Sequence, residues 1–414
     1  MSQLQAVRGT QDLLPAVLRR HRKVVETSLA VAARYGFEEM ATPIFEFTAV
    51  FSRPIGEATD VVSKEMYTFT TKGEDEVALR PENTAAVARA VLQNGLTQSL
   101  PLKFFYSGPM FRYEKPQKGR YRQFHQIGAE LIGPAQPQAD IEIIALGAHI
   151  LEALGIGPSC RLQLNTLGDT PSRHAYRAAL VEYFTRHEAA LSQDSRDRLT
   201  RNPLRILDSK DEGDKVLVAG APEFGDFLNT ESRGFFDAVR RGLDVLGIDY
   251  ALNPRLVRGL DYYCHTAFEF VTDALGAQGT VMGGGRYDGL METLGGPHIP
   301  AVGWAAGIER LAMLIEEPEG PPRPIVVVPV GAEAELAALT LTQRLRGQGF
   351  TVDLGYSGNV GKRLKQANKA NARVALVLGE AELARNAVVL RDLDRGEQEE
   401  VALDRLAAAL APYA

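Results

Sequence analysis

Cysteine is scarce in this sequence of 414 residues, which contains only Cys160 and Cys264. Two cysteines are too few for a disulfide framework or for a zinc site built on cysteine. Free cysteine is also one of the residue types most often found in protein interiors. We therefore expect two buried thiols in a reducing cytoplasm.

Long hydrophobic runs are absent as well. No stretch of about 18 apolar residues occurs, and the opening MSQLQAVRGTQD lacks a basic patch followed by an apolar segment. The first absence argues against a membrane-spanning helix, and the second argues against a secretory signal peptide. The sequence therefore predicts a cytoplasmic protein without a membrane partner.

An excess of positive charge is also missing. The chain has 46 Lys and Arg against 52 Asp and Glu, for a net charge of −6. A protein that coats nucleic acid through its overall field is thereby excluded, and a nucleic-acid partner would need a local basic patch. With 45% hydrophobic residues, the chain is long enough for two or three globular domains.

One such basic patch lies in the segment 104–130. Aromatic and apolar residues at 104–106 and 124–127 predict the two strands of a hairpin. Hairpin loops usually close in about two to five residues, so we interpret the longer loop here as functional. Its cations suit a phosphate backbone, and they are Lys115, Lys118, Arg120 and Arg122. A solvated basic loop backed by a structural ion pair is an equally open interpretation.

Polar residues flank this loop on the predicted strands. Arg112 precedes the loop, and Gln126, Gly128 and Glu130 follow it at every second position. Residues with this spacing face the same side of a sheet. Inward-facing polar groups need partners, and a polar ligand is one kind of partner.

The run FRYEKPQKGRYRQFHQIGAE at 111–130 resembles motif 2 of class II aminoacyl-tRNA synthetases, in the form found in histidyl-tRNA synthetases. LVRGLDYY at 256–263 is similar to a signature of that family, and GWAAGIERL at 303–311 is similar to its motif 3. In GGGRYDGL at 283–290, Asp288 replaces the last glycine of a dinucleotide-binding loop. The resemblance implies instead that this segment is a wall of the histidine pocket.

The resemblance and the element pattern together predict an α+β catalytic domain at 1–320, with an antiparallel sheet flanked by helices. Within it we expect a helical insertion at 171–247, because charge density and helical spacing rise there and β patterns resume afterwards. The Pro-rich segment 316–324 is the predicted linker. Beyond it, strands and helices alternate, which predicts an α/β domain at 325–414. The family carries its anticodon-binding domain there.

Local patterns add detail to the first domain. A helix is expected at 15–35, and a hairpin is expected from the strands 66–70 and 77–79. The extended segment 37–46 contains Pro43, which cannot donate to a strand ladder, so it should lie at an edge or an interface. In the family, such a segment forms the interface of a homodimer.

The resemblance implies ATP-dependent ligation of L-histidine to tRNA(His) through a histidyl-adenylate. Arg112 and Arg258 are then the catalytic residues, which grip the α-phosphate from two sides, and Arg310 holds the γ-phosphate. These three arginines form the implied ATP site. Mg²⁺ should accompany ATP, although we assign no metal ligand to it, and we expect no tightly bound organic cofactor.

Binding of histidine is implied for a larger set: Glu82, Thr84, Arg112, Gln126, Glu130, Arg258, Tyr262, Tyr263 and Tyr287. Glu82 and Thr84 would receive the α-ammonium, although both are also ordinary residues at a helix start. Glu130 and Tyr263 would pair with the imidazole, and Gln126 would hold the amino or carboxylate end.

Two features of these motifs raise separate expectations. The family more often has Gly at the position of Asn83, so the backbone path of the amino-acid clamp is open to question. Tyr262 and Tyr263 should point to opposite faces of a strand, with at most one in the pocket of Arg258 unless a bulge intervenes. Gly259 should let the backbone turn sharply after Arg258.

Contacts to tRNA are implied for the loop cations named above and for a basic helix at 360–370. Its cations are Lys362, Arg363, Lys365 and Lys369. Several cations along one helix suit an RNA backbone, although a solvated basic helix has the same pattern.

Two alternatives lack the ligase chemistry. One is a regulatory subunit of ATP phosphoribosyltransferase that resembles this family, and the other is an RNA-binding regulator that kept only the fold. Such regulatory paralogues usually lack the C-terminal domain and have a degraded LVRGLDYY segment, whereas both features are intact here.

Overall fold

The chain divides into two compact units, Met1–Pro318 and Glu319–Ala414. The computed structural model describes residues 4–56, 59–207, 209–258, 260–276 and 279–413. The division falls within the predicted linker. Gly259, which was expected to let the backbone turn, lies outside the described residues.

Helices and strands follow one another along the first unit. Its helices are α1 Pro15–Arg34, α2 Ala49–Ile55, α3 Thr84–Gln93, α4 Pro137–Ala153, α5 Thr170–Arg186, α6 Gln193–Arg201, α7 Glu212–Ala219, α8 Thr230–Val245, α9 Leu290–Thr293 and α10 Ile308–Leu314. Its strands are β1 Glu38–Glu39, β2 Phe45–Phe47, β3 Tyr67–Thr70, β4 Glu76–Leu79, β5 Leu102–Phe111, β6 Gln123–Ile132, β7 Arg161–Thr166, β8 Tyr250–Leu252, β9 Cys264–Val271, β10 Thr280–Arg286 and β11 Ala301–Gly307. The predicted helix at 15–35 and the predicted hairpin before α3 are confirmed.

An eight-stranded sheet organises the described part of this unit, in the order β1-β5-β6-β11-β10-β9-β7-β8. Its central pairings are antiparallel, and the edge pairs β1 with β5 and β7 with β8 are parallel. The predicted α+β class with an antiparallel sheet is confirmed, with these parallel pairs as an addition.

Helices α1, α4, α8 and α10 contribute to the main core of this sheet. Pro15 and Pro137 stand at the first turns of α1 and α4, where a missing N–H costs no hydrogen bond. Val31, Ile143 and Trp304 are buried together in that core. The Trp304 indole also donates to the carbonyl of Ile143 at 3.0 Å, which satisfies its polar edge.

The segment between β7 and β8 is helical, as predicted. Tyr176, Leu180 and Phe184 of α5 form a core of their own with residues of the following helices. In contrast, α8 packs Val239 and Leu243 into the main core. The last helix of the predicted insertion therefore belongs to the sheet layer.

The predicted extended segment 37–46 forms two short strands in different sheets. β1 lies at one edge of the large sheet, and β2 lies at one edge of a three-stranded sheet in the order β2-β4-β3. Pro43 lies between them, which agrees with the prediction that its strand occupies an edge.

The second unit is an α/β sheet, as predicted. Its elements are β12 Ile325–Val330, α11 Ala332–Gly347, β13 Val352–Leu354, α12 Val360–Lys369, β14 Val374–Gly379, α13 Glu380–Ala384, β15 Ala387–Asp392, β16 Gln398–Ala402 and α14 Leu406–Leu410. The strand order is β13-β12-β14-β15-β16, with β12, β13 and β14 parallel and the last two pairings antiparallel.

Both cysteines are free, but each is partly exposed rather than buried as expected. Cys160 immediately precedes β7 and Cys264 begins β9, so both stand at strand ends, where the core covers them incompletely. Burial of the thiol nevertheless raises the pKa of Cys264 to about 12.

Candidate active site

A cavity of about 310 Å³ opens on the large sheet of the first unit. Residues from β6, β9, β10 and β11 line it, together with the start of α3, the loop after β5 and helix α10. Many of the predicted site residues lie on its wall, namely Glu82, Thr84, Arg112, Arg120, Gln126, Arg258, Tyr262, Tyr263 and Arg310.

Arg112 and Arg258 reach this cavity from distant parts of the chain. Arg112 follows β5, and its Nε donates to the carbonyl of Pro81 at 2.9 Å while its guanidinium lies 5.3 Å from the ring centre of Phe124. Arg258 approaches from the segment before β9. The sequence prediction that both arginines share one space agrees with these positions.

A carboxylate holds the guanidinium of Arg258, and a glycine leaves the space that the guanidinium occupies. Its Nη1 donates to Glu269 of β9, and a Cβ on Gly283 would lie 2.6 Å from that nitrogen. Burial opposes the charge of the guanidinium, but Glu269 and the nearby tyrosines outweigh this effect, so the pKa of Arg258 is raised. The arginine therefore stays charged inside the wall.

Arg310 occupies the first turn of α10. Its Nη1 donates to the carbonyl of Thr280 at 2.6 Å. Burial lowers the pKa of its guanidinium, and the positive charge of Arg120 lowers it further. Two arginines in this position create a field that favours an anion.

Carboxylates balance the arginines of the cavity. Four of them line it, namely Glu82, Glu114, Glu269 and Glu309. Each accepts a hydrogen bond from the protein, so none of the four faces the cavity without a partner.

Glu82 caps helix α3 in this structure. Its carboxylate accepts from the backbone N–H of Thr84 at 2.7 Å and of Ala85 at 2.9 Å. Burial raises the pKa of Glu82, and these two hydrogen bonds oppose the rise. The capping interpretation thus describes the geometry, and the contact to an α-ammonium stays a prediction.

The side chain of Asn83, which stands where the family more often has Gly, has hydrogen-bond partners in this structure. Its Oδ1 accepts from the Thr42 hydroxyl at 2.7 Å and from Arg80 Nη1 at 3.2 Å. Asn83 is the N-cap residue of α3, with φ of −117°. This backbone conformation is open to any residue, so the helix start does not need glycine.

Glu130 lies behind the cavity wall and is completely buried. Its carboxylate accepts from the hydroxyls of Thr84, at 2.7 Å, and of Tyr287, and Tyr106 lies at 3.4 Å. No salt bridge reaches it among the residues that the structure describes. Burial raises its pKa to about 8, against the opposing effect of the two shorter hydrogen bonds.

The sheet register makes room for this carboxylate. Gly303 of β11 pairs with Glu130 of β6, and a Cβ on Gly303 would lie 1.8 Å from Glu130 Oε2. Glycine is required here because any side chain would occupy the volume of the carboxylate. Tyr287 is likewise buried, at 2% exposure, and supports Glu130 from behind.

The prediction that Tyr262 and Tyr263 point to opposite strand faces is wrong. β9 begins at Cys264, so both tyrosines precede the strand. The alternation of side chains between the two faces of a strand therefore does not apply to them. Both line the cavity, with ring centres 4.7 Å apart. The two hydroxyl-bearing rings therefore share the space beside Arg258.

The predicted basic loop divides into two pairs of cations. Lys115 and Lys118 are exposed. Arg120 forms an ion pair with Glu114, and Arg122 lies 3.8 Å from the ring centre of Tyr113. Both sequence interpretations thus describe part of the loop: two cations are structural, and two face solvent.

The prediction that four cations of helix α12 form one basic face is wrong for one of them. Lys362, Lys365 and Lys369 are exposed, but Arg363 is buried at 7% exposure. Its guanidinium donates to the carbonyl of Pro329. Helical spacing turns this position toward the sheet, so Arg363 does not belong to the exposed basic face.

Sequence reasoning missed Glu269 as a partner of Arg258. Its signal was weak, because a glutamate inside an apolar strand has many structural explanations. The three consecutive glycines of β10 were a better signal, since Gly283 leaves space for Arg258 and a Cβ on Gly285 would lie 2.9 Å from the Tyr263 ring.

The antiparallel sheet, the arginine-lined cavity and the separate α/β unit define the class of protein: a class II aminoacyl-tRNA synthetase. The family model for histidyl-tRNA synthetase matches residues 9–311, and a model for an anticodon binding domain matches residues 324–412. The chain belongs to the histidyl-tRNA synthetase family.

Individual relatives agree with this assignment. A histidine–tRNA ligase of Rhodospirillum rubrum is 59% identical over 414 residues, which is 100% of both chains. One of Gluconacetobacter diazotrophicus is 57% identical over 413 residues, covering 100% of this chain and 99% of the relative. The apo crystal structure of the S. aureus histidyl-tRNA synthetase has a TM-score of 0.82 and 36% identity, covering 98% of this chain and 99% of the other.

Family membership makes this chain a ligase that aminoacylates tRNA with histidine, with ATP as the further substrate. The two alternatives without ligase chemistry are therefore not supported. No helix among the described residues has both the length and the apolar character to cross a membrane.

Proposed function

We propose that the cavity of the first unit is the site where this enzyme activates histidine with ATP. A carboxylate oxygen of histidine attacks the α-phosphorus of ATP, the bond to the β-phosphate oxygen breaks, and pyrophosphate leaves. A ribose hydroxyl of the tRNA terminus then attacks the carbonyl carbon of the adenylate, and AMP leaves. On this basis residues 1–320 form the catalytic domain, with the insertion at 171–247, and residues 325–414 form the anticodon-binding domain.

The convergence of Arg112 and Arg258 on one cavity is the observation that carries this proposal. Phosphoryl transfer requires the protein mainly to position the reactants and to place cations on developing charge. Guanidinium groups stay charged and bind phosphate oxygens in pairs, which suits the α-phosphate. Arg310, on the same wall, takes the γ-phosphate.

Mg²⁺ accompanies ATP in this proposal. The ion prefers oxygen ligands and usually keeps several waters and substrate phosphates. Glu114 and Glu269 line the cavity; their oxygens accept hydrogen bonds from Arg120, Arg258 and Thr280, but each carboxylate oxygen has a further lone pair, so the donor type fits the ion. When bound, the ion neutralises part of the phosphate charge.

The histidine side chain is selected at the back of the cavity. Glu130 supports this role because it is a buried carboxylate bonded only to hydroxyl groups among its described side-chain partners. An imidazole N–H donated to Glu130 would compensate for its burial, and Tyr263 would serve the other ring nitrogen. Glu82, Thr84 and Gln126, all on the wall, would hold the amino-acid end.

The tRNA and a second subunit complete the proposed assembly. Lys115 and Lys118 of the loop and the lysines of α12 supply exposed cations for the RNA backbone. The segment 37–46, which contains Pro43, would form a homodimer interface. We propose a cytoplasmic location, where the two free thiols stay reduced.

Histidine-dependent exchange of pyrophosphate into ATP tests the first step without tRNA. Arg258→Ala should lower kcat by about 100-fold or more, because it removes a donor to transition-state charge. Arg161→Ala is the control: this arginine is exposed and pairs with Asp273 on the surface. Its exchange rate should stay within about twofold of the parent rate.

A double variant sharpens the test. If Arg112 and Arg258 hold one phosphate, the loss in Arg112→Ala with Arg258→Ala should be smaller than the product of the two single losses. Fully multiplicative losses would show that the two arginines act independently, and the proposal would then be abandoned. Thermal unfolding of each variant separates a loss of chemistry from a loss of folding.

A further inference from the structure

Three potential metal ligands converge beside the cavity, outside the set assigned to histidine, ATP and tRNA. They are His21 of α1, His125 of β6 and Glu309 of α10. One ligating atom from each residue lies within 4.8 Å of the other two. The residues come from three separate elements, so the fold brings them together.

Glu309 is held in a fixed orientation. The backbone N–H of His125 donates to both carboxylate oxygens, at 2.9 and 3.0 Å, and Glu309 is only 6% exposed. Its Oε1 also lies 2.9 Å from His125 Nδ1. Carboxylates that bind metals are often oriented by such additional hydrogen bonds.

His21 supplies an independent observation. It is 5% exposed, and its ring lies edge-on to that of His125 with ring centres 5.6 Å apart. Neither nitrogen of His21 forms a hydrogen bond with the protein residues that the structure describes. The His21 ring therefore has no competing protein partner among those residues and stands as a third potential ligand beside His125 and Glu309.

We propose that His21, His125 and Glu309 bind one divalent transition-metal ion of the zinc type. Two imidazoles and one carboxylate are a ligand set suited to zinc, whereas Mg²⁺ prefers oxygen alone. The side chain of His125 is 23% exposed, which leaves a direction from which water can complete a tetrahedron. This site is therefore distinct from the magnesium that accompanies ATP.

The present spacing allows the ion with modest movement. A tetrahedral zinc ion with bonds of about 2.0 Å holds its ligand atoms about 3.3 Å apart. The ligand atoms here lie within 4.8 Å of one another, so the widest pair must approach by up to about 1.5 Å, which rotation of the His21 side chain can supply while Glu309 stays on the His125 backbone. The bound ion would tie α1 to β6 and α10, immediately beside Gln126 and Arg310.

Zinc titration of the metal-stripped, full-length protein tests the proposal, with a chromophoric chelator as competitor. The parent protein should bind one equivalent tightly, and His21→Phe should weaken that site by at least about 100-fold. Phenylalanine keeps a planar ring against His125. His298→Phe is the matched control, because His298 forms an exposed pair with Glu292; this variant should keep the tight site.

Three results would overturn the proposal: no tight equivalent in the parent, equal affinity in His21→Phe and the parent, or loss of the site in His298→Phe. A second measurement does not depend on any variant. X-ray absorption of the zinc-loaded parent should show nitrogen and oxygen at about 2.0 Å with scattering from two imidazoles. Sulfur at about 2.3 Å would place the metal on a cysteine and would refute the site.

Discussion

Glu130 is expected to affect both the selection of histidine and the stability of the folded protein. It lies in a central strand, opposite a glycine, with hydroxyl groups around its carboxylate. Such a buried group is costly when ionised unless a ligand or a cation reaches it. Its effect on histidine binding and its effect on folding can be measured with the same variant.

Glu130→Gln should raise the KM for histidine by about 10-fold or more, because a charged hydrogen bond contributes about 1.5 to 3 kcal/mol. Pyrophosphate exchange at varied histidine concentration measures this change, and the KM for ATP should change far less. Glu142→Gln is the control, since Glu142 lies on α4 and pairs with Lys103 of β5, away from the cavity residues. Equal KM values for histidine in Glu130→Gln and the parent would remove Glu130 from the pocket.

The same variant should change the pH dependence of stability. The pKa of Glu130 is about 8 in the folded protein and close to 4.5 when unfolded. The folded state therefore binds more protons between these values, and the stability it contributes is complete below pH 4.5 and declines as pH rises through 8. The decline is about 5 kcal/mol at most.

Glu130→Gln should flatten that decline, because an amide does not ionise. Thermal midpoints of the free enzyme, measured between about pH 5 and pH 8.5, should fall less steeply for the variant than for the parent. Parallel curves for the two proteins would mean that Glu130 does not titrate in this window.

The cations of helix α12 divide between two faces of the helix. The exposed lysines follow the solvent side of the helix, while Arg363 supports the sheet through Pro329. A count of charges along the sequence cannot separate these roles. Their separation can be tested with variants of the helix.

Replacing Lys362, Lys365 and Lys369 together with Ala should raise the KM for tRNA by about 10-fold. It should also lower the salt dependence of tRNA binding, because up to three phosphate contacts are lost. The exchange reaction without tRNA should be unchanged. The triple variant of the exposed residues Arg385, Arg395 and Arg405 changes the net charge equally and serves as the control; a similar loss there would indicate a general field effect.

The three-stranded sheet of the first unit has an exposed apolar face. Phe45, Phe47 and Phe69 are 56%, 59% and 48% exposed. Phe47 and Phe69 both pair with Val77, so these two side chains lie in one row across the sheet, and Phe45 lies two residues along β2 on the same face. A contiguous apolar patch of this kind marks an interaction surface, and Phe45 belongs to the segment 37–46 that is predicted to form the dimer interface.

The parent protein should therefore have twice the mass of one chain by light scattering. Phe45→Asp with Phe47→Asp should shift it toward the monomer, because two charges would be buried without partners. Leu336→Asp is the control, since Leu336 is 77% exposed on α11 of the second unit. A monomeric parent, or a double variant that remains dimeric, would contradict the interface.

The alternation of elements was readable from sequence in both units. Proline positions, glycines after helices and apolar spacing are local signals, and they located α1, the hairpin before α3 and the alternation of strands and helices that begins the second unit. The cavity residues were named through dense motifs. Local signals failed at Tyr262 and Tyr263, because the start of β9 is decided by its pairing with β10.

Sequence alone therefore determined the class, the family motifs and the residue types available for chemistry, since these depend on local spacing and composition. Tertiary structure decided which side chains meet. Only pairing between strands opposes Gly303 to Glu130 and leaves Gly283 open for Arg258. Likewise, only the packing of α1 against β6 and α10 brings His21 to His125 and Glu309. Contacts between residues distant in the chain arise from packing, and no local pattern encodes them.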